Sequence, residues 1–173
     1  MDEKYSLWLM PEADLCNELR SLILKISNEL NSPAFVPHLT LIGCVEKPKE
    51  DVSLRADQLV QLIKPFKIKL GKIDFLDEYF RCVFIRTEET KELIRANDIA
   101  RRFFSLENQP KFMPHLSLMY GNFPIEVKKK IASRIGEYFN AEFVVKCLHI
   151  YETSKKPEEW SFVEKHNFRL VLT

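Results

Sequence analysis

The alternation of hydrophobic and polar positions along the chain predicts an α+β protein. In residues 14–30 the apolar side chains recur every three or four positions, which is the spacing of one helix face, and Asp14 is expected to cap the helix. Similar spacing predicts helices over 52–63, 89–104 and 127–139. Short runs rich in aromatic and β-branched residues predict the strands, which are 5–10, 35–43, 66–70, 73–75, 80–86, 112–121, 143–151, 160–163 and 168–172. Charge and proline content predict mobile loops at 46–51 and 154–159.

Two of the predicted strands carry almost the same sequence. Residues 35–43 read F-V-P-H-L-T-L-I-G, and residues 112–121 read F-M-P-H-L-S-L-M-Y-G. One predicted helix leads into each of these strands and another leads out. The repeated order predicts two related α+β lobes from a duplicated unit, packed together as a single domain over 1–173.

Each repeated strand places a histidine and a hydroxyl on the same face. Side chains two positions apart on a strand point the same way, so His38 shares a face with Thr40, and His115 shares one with Ser117. The leucines between them point to the opposite face and anchor each strand. If the two lobes face each other, these four polar side chains converge on a central cleft.

Two imidazoles and two hydroxyls suit attack on a phosphodiester. A neutral imidazole accepts a proton from water and a protonated one gives a proton to the departing oxygen; with an ordinary pKa of about 6.5, histidine supplies both forms near neutral pH. The hydroxyls of Thr40 and Ser117 can donate hydrogen bonds to the phosphoryl oxygens. Within this nearly symmetric pair we assign His115 as the base and His38 as the acid. We expect no metal and no other cofactor.

Composition and charge narrow the class of partner. With 173 residues, 46% of them hydrophobic, the chain has enough apolar surface for one core. The 26 basic and 25 acidic side chains leave a net charge of +1, which disfavours a long nucleic acid and suits a small anion. We expect a cytoplasmic location, since the chain has neither a signal-peptide pattern nor an apolar run long enough to cross a membrane. We also expect a monomer.

The other reactive side chains predict no second site. The four cysteines are expected to be buried free thiols in a reducing compartment, and they are Cys16, Cys44, Cys82 and Cys147. His149 is expected to be structural and His166 to lie at the surface. A zinc site is not expected, because the sequence has neither C-x-x-C nor H-E-x-x-H. The lysines 128–130 predict a solvated helix face.

The paired H-L-T-L and H-L-S-L segments resemble the H-x-[ST]-x motifs of the two-histidine phosphoesterase superfamily. P-H-L-S-L-M-Y-G, Y-S-L-W-L-M-P near the start and F-R-C-V-F in the middle make the chain most similar to the cyclic phosphodiesterases of plants and fungi. The resemblance implies a bilobal α+β fold of largely antiparallel sheet, with outer helices and a central cleft. It implies His38 and His115 as the acid/base pair, with Thr40 and Ser117 holding the phosphate.

The resemblance also implies a reaction. Such enzymes open ADP-ribose 1″,2″-cyclic phosphate, a by-product of tRNA splicing, to ADP-ribose 1″-phosphate, and nucleoside 2′,3′-cyclic phosphates to 2′-phosphates. Two alternatives stay open from the residues. One is an RNA-directed enzyme of the same superfamily, acting as a 2′,5′-phosphodiesterase, in RNA end processing or as a ligase-like enzyme. The other is a nucleotide-binding module without catalysis.

Three aromatic residues are further candidates for substrate contact. By the resemblance, Tyr120 would line the site, and Trp8 and Phe80 would contact the nucleotide. Strict strand alternation puts Tyr120 on the face opposite His115, so its entry needs a strand end or a bulge, which Gly121 can help to form. Packing in the core is the alternative for all three aromatic residues.

Overall fold

One eight-stranded antiparallel sheet organises the structure, a computed structural model that describes residues 3–169. The strands in chain order are β1 (Tyr5–Leu9), β2 (Leu39–Val45), β3 (Phe66–Asp74), β4 (Val83–Thr87), β5 (His115–Met119), β6 (Glu142–Val145), β7 (Cys147–Glu152) and β8 (Ser161–Asn167). In space their order is β6-β3-β4-β5-β2-β1-β7-β8, and every neighbouring pair is antiparallel. The α+β class and the antiparallel sheet that were expected are therefore confirmed.

Two of the four helices in the described residues pack on the sheet across its midline. In the described residues the four helices are α1 (Ala13–Leu30), α2 (Lys49–Val60), α3 (Lys91–Phe104) and α4 (Ile125–Ile135), with short 3-10 turns at Tyr79–Arg81 and Pro157–Glu159. Helix α1, which precedes β2 in the chain, packs against β5, and α3, which precedes β5, packs against β2. No helix within residues 3–169 is both long and apolar enough to cross a membrane.

The sheet divides into two four-stranded halves that meet at β2 and β5. Within the described residues, strands β2 and β5 pair at Leu39 and Leu116, and both side chains are fully buried. One half is β6-β3-β4-β5 and the other is β2-β1-β7-β8. Strand β3 follows α2 yet lies in the half of β4 and β5, whereas β7 and β8 return to the half of β1. The two lobes therefore exchange strands, and the duplication of the unit stays a prediction.

The leucines of the repeated motifs form the centre of the hydrophobic core. Leu39, Leu41, Leu116 and Leu118 are at most 1% exposed and belong to one buried cluster with the inner faces of the helices. Burial of each such side chain contributes about 1.5–3 kcal/mol. These leucines fix which face of β2 and β5 points away from the core.

Several element boundaries differ from the sequence expectation. Asp14 lies in the first turn of α1 and not at its cap, which is Glu12 and makes no side-chain capping bond. The expected loop at 46–51 is wrong in its second half, because α2 begins at Lys49. Helix α4 runs Ile125–Ile135 and so begins and ends before the expected 127–139.

The boundaries of several strands also differ from the sequence expectation. The expected strands at 66–70 and 73–75 form one strand, β3, whose pairing with β4 is irregular between Leu70 and Ile73. The expected strand at 143–151 is divided into β6 and β7. Strand β8 is longer than the expected strand at 160–163 and pairs with β7. Of the expected strand at 168–172, residues 168 and 169 are not in a strand, and 170–172 lie outside the described residues.

Asn97 of α3 stabilises an irregular point in β2. The register of β1 with β2 passes from Thr40 to Ile42, which leaves Leu41 as an extra residue in β2. The buried Asn97 Nδ2 donates a hydrogen bond of 2.6 Å to the Leu41 carbonyl. The helix thus satisfies a backbone acceptor in the motif strand.

We expect Asn97→Ala to lower the free energy of unfolding by about 1–3 kcal/mol, because it leaves a buried carbonyl without a donor. Urea unfolding followed by circular dichroism measures this effect. Asp98→Ala, at the neighbouring exposed position of the same helix, is the control and should change stability little. Equal stability of the two variants would show that the bond is not needed.

Candidate active site

The register at the centre of the sheet brings the four motif side chains together. Because Leu39 pairs with Leu116 in antiparallel strands, the residue before one lies opposite the residue after the other. His38 therefore lies opposite Ser117, and Thr40 lies opposite His115. The two imidazoles are diagonal to each other across the seam between the lobes, with one hydroxyl beside each.

The two histidine rings are held in the same way. His38 Nδ1 lies 2.6 Å from the Val36 carbonyl oxygen, and His115 Nδ1 lies 2.8 Å from the Met113 carbonyl oxygen. A carbonyl only accepts, so Nδ1 carries the hydrogen in both neutral rings and Nε2 has the free lone pair. In each motif a proline lies between the residue that supplies the carbonyl and the histidine, so the backbone before the two histidines is restricted in the same way.

Burial keeps both imidazoles neutral in the free protein. It lowers the pKa of His38 to about 3; the bond to Val36 opposes this shift, and the nearby His115 adds to it. The pKa of His115 is also lowered, first by burial, against the bond to Met113, and then by the positive charges of Arg81 and Arg86. Each imidazole can therefore accept a proton at neutral pH, and an anion beside either ring would favour its protonated form.

Trp8 forms the floor of the site beside His38. Its ring stacks on His38 with centroids 3.5 Å apart and on Tyr151 at 3.9 Å, so both of its faces are covered and it is only 1% exposed. In this arrangement Trp8 packs against the candidate catalytic ring and offers a ligand only its edge. The expected nucleotide contact of Trp8 is thus not formed by a free ring face.

Tyr120 and Phe80 belong to an aromatic cluster that extends from Trp8 and His38 through Trp160. Tyr120 stacks on Phe35 at 3.8 Å, and its ring lies 5.3 Å from Phe80 and 5.9 Å from Trp160. Trp160 is in turn 6.1 Å from His38, so Tyr120 belongs to the aromatic cluster that borders the site. Tyr120 is buried, whereas Phe80 is 52% exposed and presents a ring to solvent.

Tyr120 reaches this cluster from the end of its strand. Strand β5 ends at Met119, and its pairing with β4 is already irregular between Val83 and Phe84. Gly121 then adopts φ +137°, and its N–H donates to the Tyr79 carbonyl at 3.0 Å. A Cβ at Gly121 would lie 2.4 Å from the Phe123 ring, so both the conformation and the space require glycine.

The two hydroxyls differ in their present partners. Ser117 Oγ donates a hydrogen bond of 3.0 Å to the Phe80 carbonyl, which ties the 3-10 turn Tyr79–Arg81 to β5. Thr40 lies on the half-buried surface of β2, opposite Trp8 of β1. Ser117 must therefore turn away from Phe80 to donate to a ligand.

Comparison with known proteins gives a consistent family. The family model for "Cyclic phosphodiesterase-like protein" matches residues 3–171. The chain belongs to this family. A cyclic phosphodiesterase from Arabidopsis thaliana is 25% identical over 125 residues, covering 72% of this chain and 69% of the relative. The chain is thus a phosphoesterase-type hydrolase, and the resemblance to two-histidine phosphoesterases is confirmed.

Solved structures show the same fold at low sequence identity. The protein TT0787 of Thermus thermophilus is similar with a TM-score of 0.66 and 18% identity, over 96% of this chain and 98% of that one. E. coli LigT complexed with 3′-AMP has a TM-score of 0.65 and 16% identity, over 97% and 98% of the respective chains. The bilobal architecture expected for the cyclic phosphodiesterase-like family is therefore present.

Several residues around the cleft were not predicted from the sequence. Tyr151, Trp160 and Phe35 join the aromatic cluster, and Arg86 is the cross-strand partner of His115. Strand alternation could have indicated Tyr151 and Arg86, because both lie in predicted strands. Trp160 follows a short 3-10 turn, and no local pattern indicates its position.

Two expectations outside the cleft were wrong. His166 is buried rather than at the surface, with Nδ1 2.6 Å from an Asp57 carboxylate oxygen. Lys128 is also buried, and its ammonium donates to the Leu76 carbonyl and to Asp77, so only the next two lysines face solvent.

The remaining expectations have mixed outcomes. His149 packs beside Cys147 in β7, with its Nε2 3.6 Å from the sulfur. All four cysteines are free thiols, but only Cys82 is buried as expected; Cys16 and Cys147 are half-buried and Cys44 is exposed. Within residues 3–169, no three His, Cys, Asp or Glu side chains are grouped to hold a metal ion.

We expect His38 to remain in its neutral, Nδ1-protonated form well below pH 6.5, because a charged ring would be desolvated beside Trp8. A ¹⁵N-detected NMR titration of the imidazoles measures both the tautomer and the pKa, and His38→Asn assigns the resonances. A lowered pKa means that the unfolded chain binds more protons, so acid also destabilises the fold. Titration of His38 at pH 6 or above would contradict the role of burial.

Proposed function

We propose that the chain hydrolyses a cyclic phosphodiester in a small nucleotide without a metal ion, by acid/base catalysis from His38 and His115. The observation that carries the proposal is the matched pair of imidazoles. Each is fixed through Nδ1 to the carbonyl two residues earlier, and each has Nε2 free to exchange a proton on the same face of the sheet. A module that only binds nucleotides has no need of this arrangement.

In the proposed reaction, water attacks phosphorus in line with the bond that opens the ring. His115 Nε2 takes a proton from the water, while the protonated Nε2 of His38 gives one to the departing ring oxygen. A new P–O bond forms, the ring P–O bond breaks, and the product carries a phosphomonoester beside a hydroxyl. Thr40 and Ser117 donate hydrogen bonds to the non-bridging oxygens, where negative charge must be stabilised.

The proton on His38 must arrive together with the substrate. The pKa of about 3 makes the free ring neutral at pH 7. A phosphate anion beside the ring favours the charged form and raises its pKa, so substrate binding and protonation are coupled. The same coupling explains how two neutral bases can become one acid and one base.

Substrates of the proposed class are ADP-ribose 1″,2″-cyclic phosphate, opened to the 1″-phosphate, and nucleoside 2′,3′-cyclic phosphates, opened to 2′-phosphates. The cyclic phosphodiesterase of Arabidopsis thaliana and the LigT complexes with 3′-AMP, ATP and NADP+ support a small nucleotide. The exposed ring of Phe80 is suited to stack on a base. Cytoplasmic location, monomeric state and a role after tRNA splicing rest on the sequence and the resemblance.

We expect the purified protein to convert adenosine 2′,3′-cyclic phosphate to the 2′-phosphate in the presence of EDTA. Chromatography against both phosphate isomers identifies the product, and the variant His38→Ala/His115→Ala is the control that should give none. Activity that EDTA abolishes, or equal activity in the double variant, would overturn the proposed chemistry. Turnover of short 2′,5′-linked RNA in place of this substrate would favour the RNA-directed alternative.

The direction of proton transfer has its own test. On a phosphodiester with a nitrophenol leaving group, which needs no protonation, we expect His38→Ala to recover most of its activity. His115→Ala should lose about 10²–10⁴ in rate on both substrates, because attack by water still needs a base. Recovery of His115→Ala instead of His38→Ala in steady-state assays would reverse the assignment.

A further inference from the structure

Two arginines border only one of the two candidate catalytic histidines. Arg86 of β4 is the cross-strand partner of His115, so its side chain starts on the same face of the sheet. Arg81, in the 3-10 turn Tyr79–Arg81, is near enough for its charge to act on the same imidazole. His38 has Trp8 and Tyr151 on its side, so the cleft has an aromatic flank and a cationic flank.

Arg86 is held with part of its guanidinium free. Its Nε donates to Asp74 at 2.6 Å, and Asp74 is itself fixed by the Phe75 N–H at 2.8 Å. The guanidinium carbon lies 5.4 Å from the centre of the Phe84 ring, in a cation–π contact. A carboxylate and an aromatic ring thus orient the group, while its two terminal nitrogens have no protein partner among the described residues.

Arg81 is held in a similar manner by a neighbour in its own turn. Its Nε donates to Glu78 at 2.7 Å, and one terminal nitrogen contacts the same carboxylate oxygen. The side chains of Arg81 and Arg86 are 36% and 40% exposed, so both reach solvent. Oriented arginines of this kind are suited to bind phosphate oxygens through paired N–H groups.

We propose that Arg81 and Arg86 form a second anion subsite, which binds a further phosphate group, a diphosphate above all, of the nucleotide whose cyclic phosphate lies between His38 and His115. The subsite rests on the proposed function, since it extends the same cleft. It fixes the direction of the substrate: the base lies toward Phe80 and Trp160, and the additional phosphates lie beside His115. It selects cyclic phosphates that carry a diphosphate over those of simple nucleosides.

The positive charges of Arg81 and Arg86 act on His115. Their positive charges disfavour protonation of His115. An anion bound at the subsite offsets these charges, so the local field at His115 depends on whether the second phosphate is present. If the ion pairs of Arg81 with Glu78 and of Arg86 with Asp74 bound no ligand, they would contribute little to stability beside the imidazole.

The kinetic test compares two substrates, adenosine 2′,3′-cyclic phosphate and the same compound bearing a 5′-diphosphate. In the charge-neutral variant Asp74→Asn/Arg86→Gln, kcat/KM for the diphosphate compound should fall at least about tenfold more than for the simple compound. Glu78→Gln/Arg81→Gln should act in the same direction. The control Asp98→Asn/Arg102→Gln makes the same changes on the exposed face of α3 and should alter neither value.

An equal loss on both substrates would overturn the subsite, because it would mean that the arginines act only through His115. A binding measurement separates this result from a failure of the proposed reaction. Inorganic pyrophosphate, titrated calorimetrically into the wild-type chain, should bind about tenfold more weakly to Asp74→Asn/Arg86→Gln than to the control variant. Unchanged pyrophosphate affinity would refute the subsite even if the hydrolysis assay succeeds, and a weakened affinity would support it even if no cyclic phosphate is hydrolysed.

Discussion

The candidate site depends on the pairing of Leu39 with Leu116, where the two halves of the sheet meet. Both leucines are fully buried against the helical layer, so their side chains fix which face of β2 and β5 is the core face. Every polar group of the two motifs then falls on the other face at a defined position. A slip of one residue in either strand would turn its histidine into the core and its leucines into the cleft. The geometry that the proposed proton transfer requires is thus set by hydrophobic packing on the core face of the sheet.

Burial of the rings themselves decides the charge of the imidazoles. His38 lies against Trp8 with its Nδ1 bonded to a carbonyl, so its orientation and its tautomer are fixed, while its burial lowers its pKa. An imidazolium in this position is unfavourable until an anion adjoins it. In the proposed reaction the substrate phosphate is that anion, and the empty site avoids a buried, uncompensated charge.

Much of this arrangement follows from local sequence, because it rests on short-range periodicity. The period of two indicated the common face of His38 and Thr40, and helical spacing indicated α1 almost to its true ends. The contacts that sequence did not predict join distant segments. His166 is buried with its Nδ1 against Asp57 of α2, and Lys128 of α4 is buried with its ammonium against the Leu76 carbonyl. The exchange of β3 and β7 between the lobes is likewise invisible to any local pattern, since each strand has the same period wherever it pairs.

The near-identity of the two motifs makes their surroundings decisive. A pseudo-symmetric backbone gives His38 and His115 the same ring geometry, so it cannot by itself assign one proton donor and one proton acceptor. The flanks break the symmetry. His38 is enclosed by aromatic rings, which offer no charge, whereas His115 lies near Arg81 and Arg86, whose field changes when an anion binds. A substrate with one aromatic end and one anionic end fits such a cleft in a single direction. In the proposed reaction, the repeated P-H-L-[ST]-L segments therefore supply the geometry of catalysis, and the residues that differ between the lobes supply its direction.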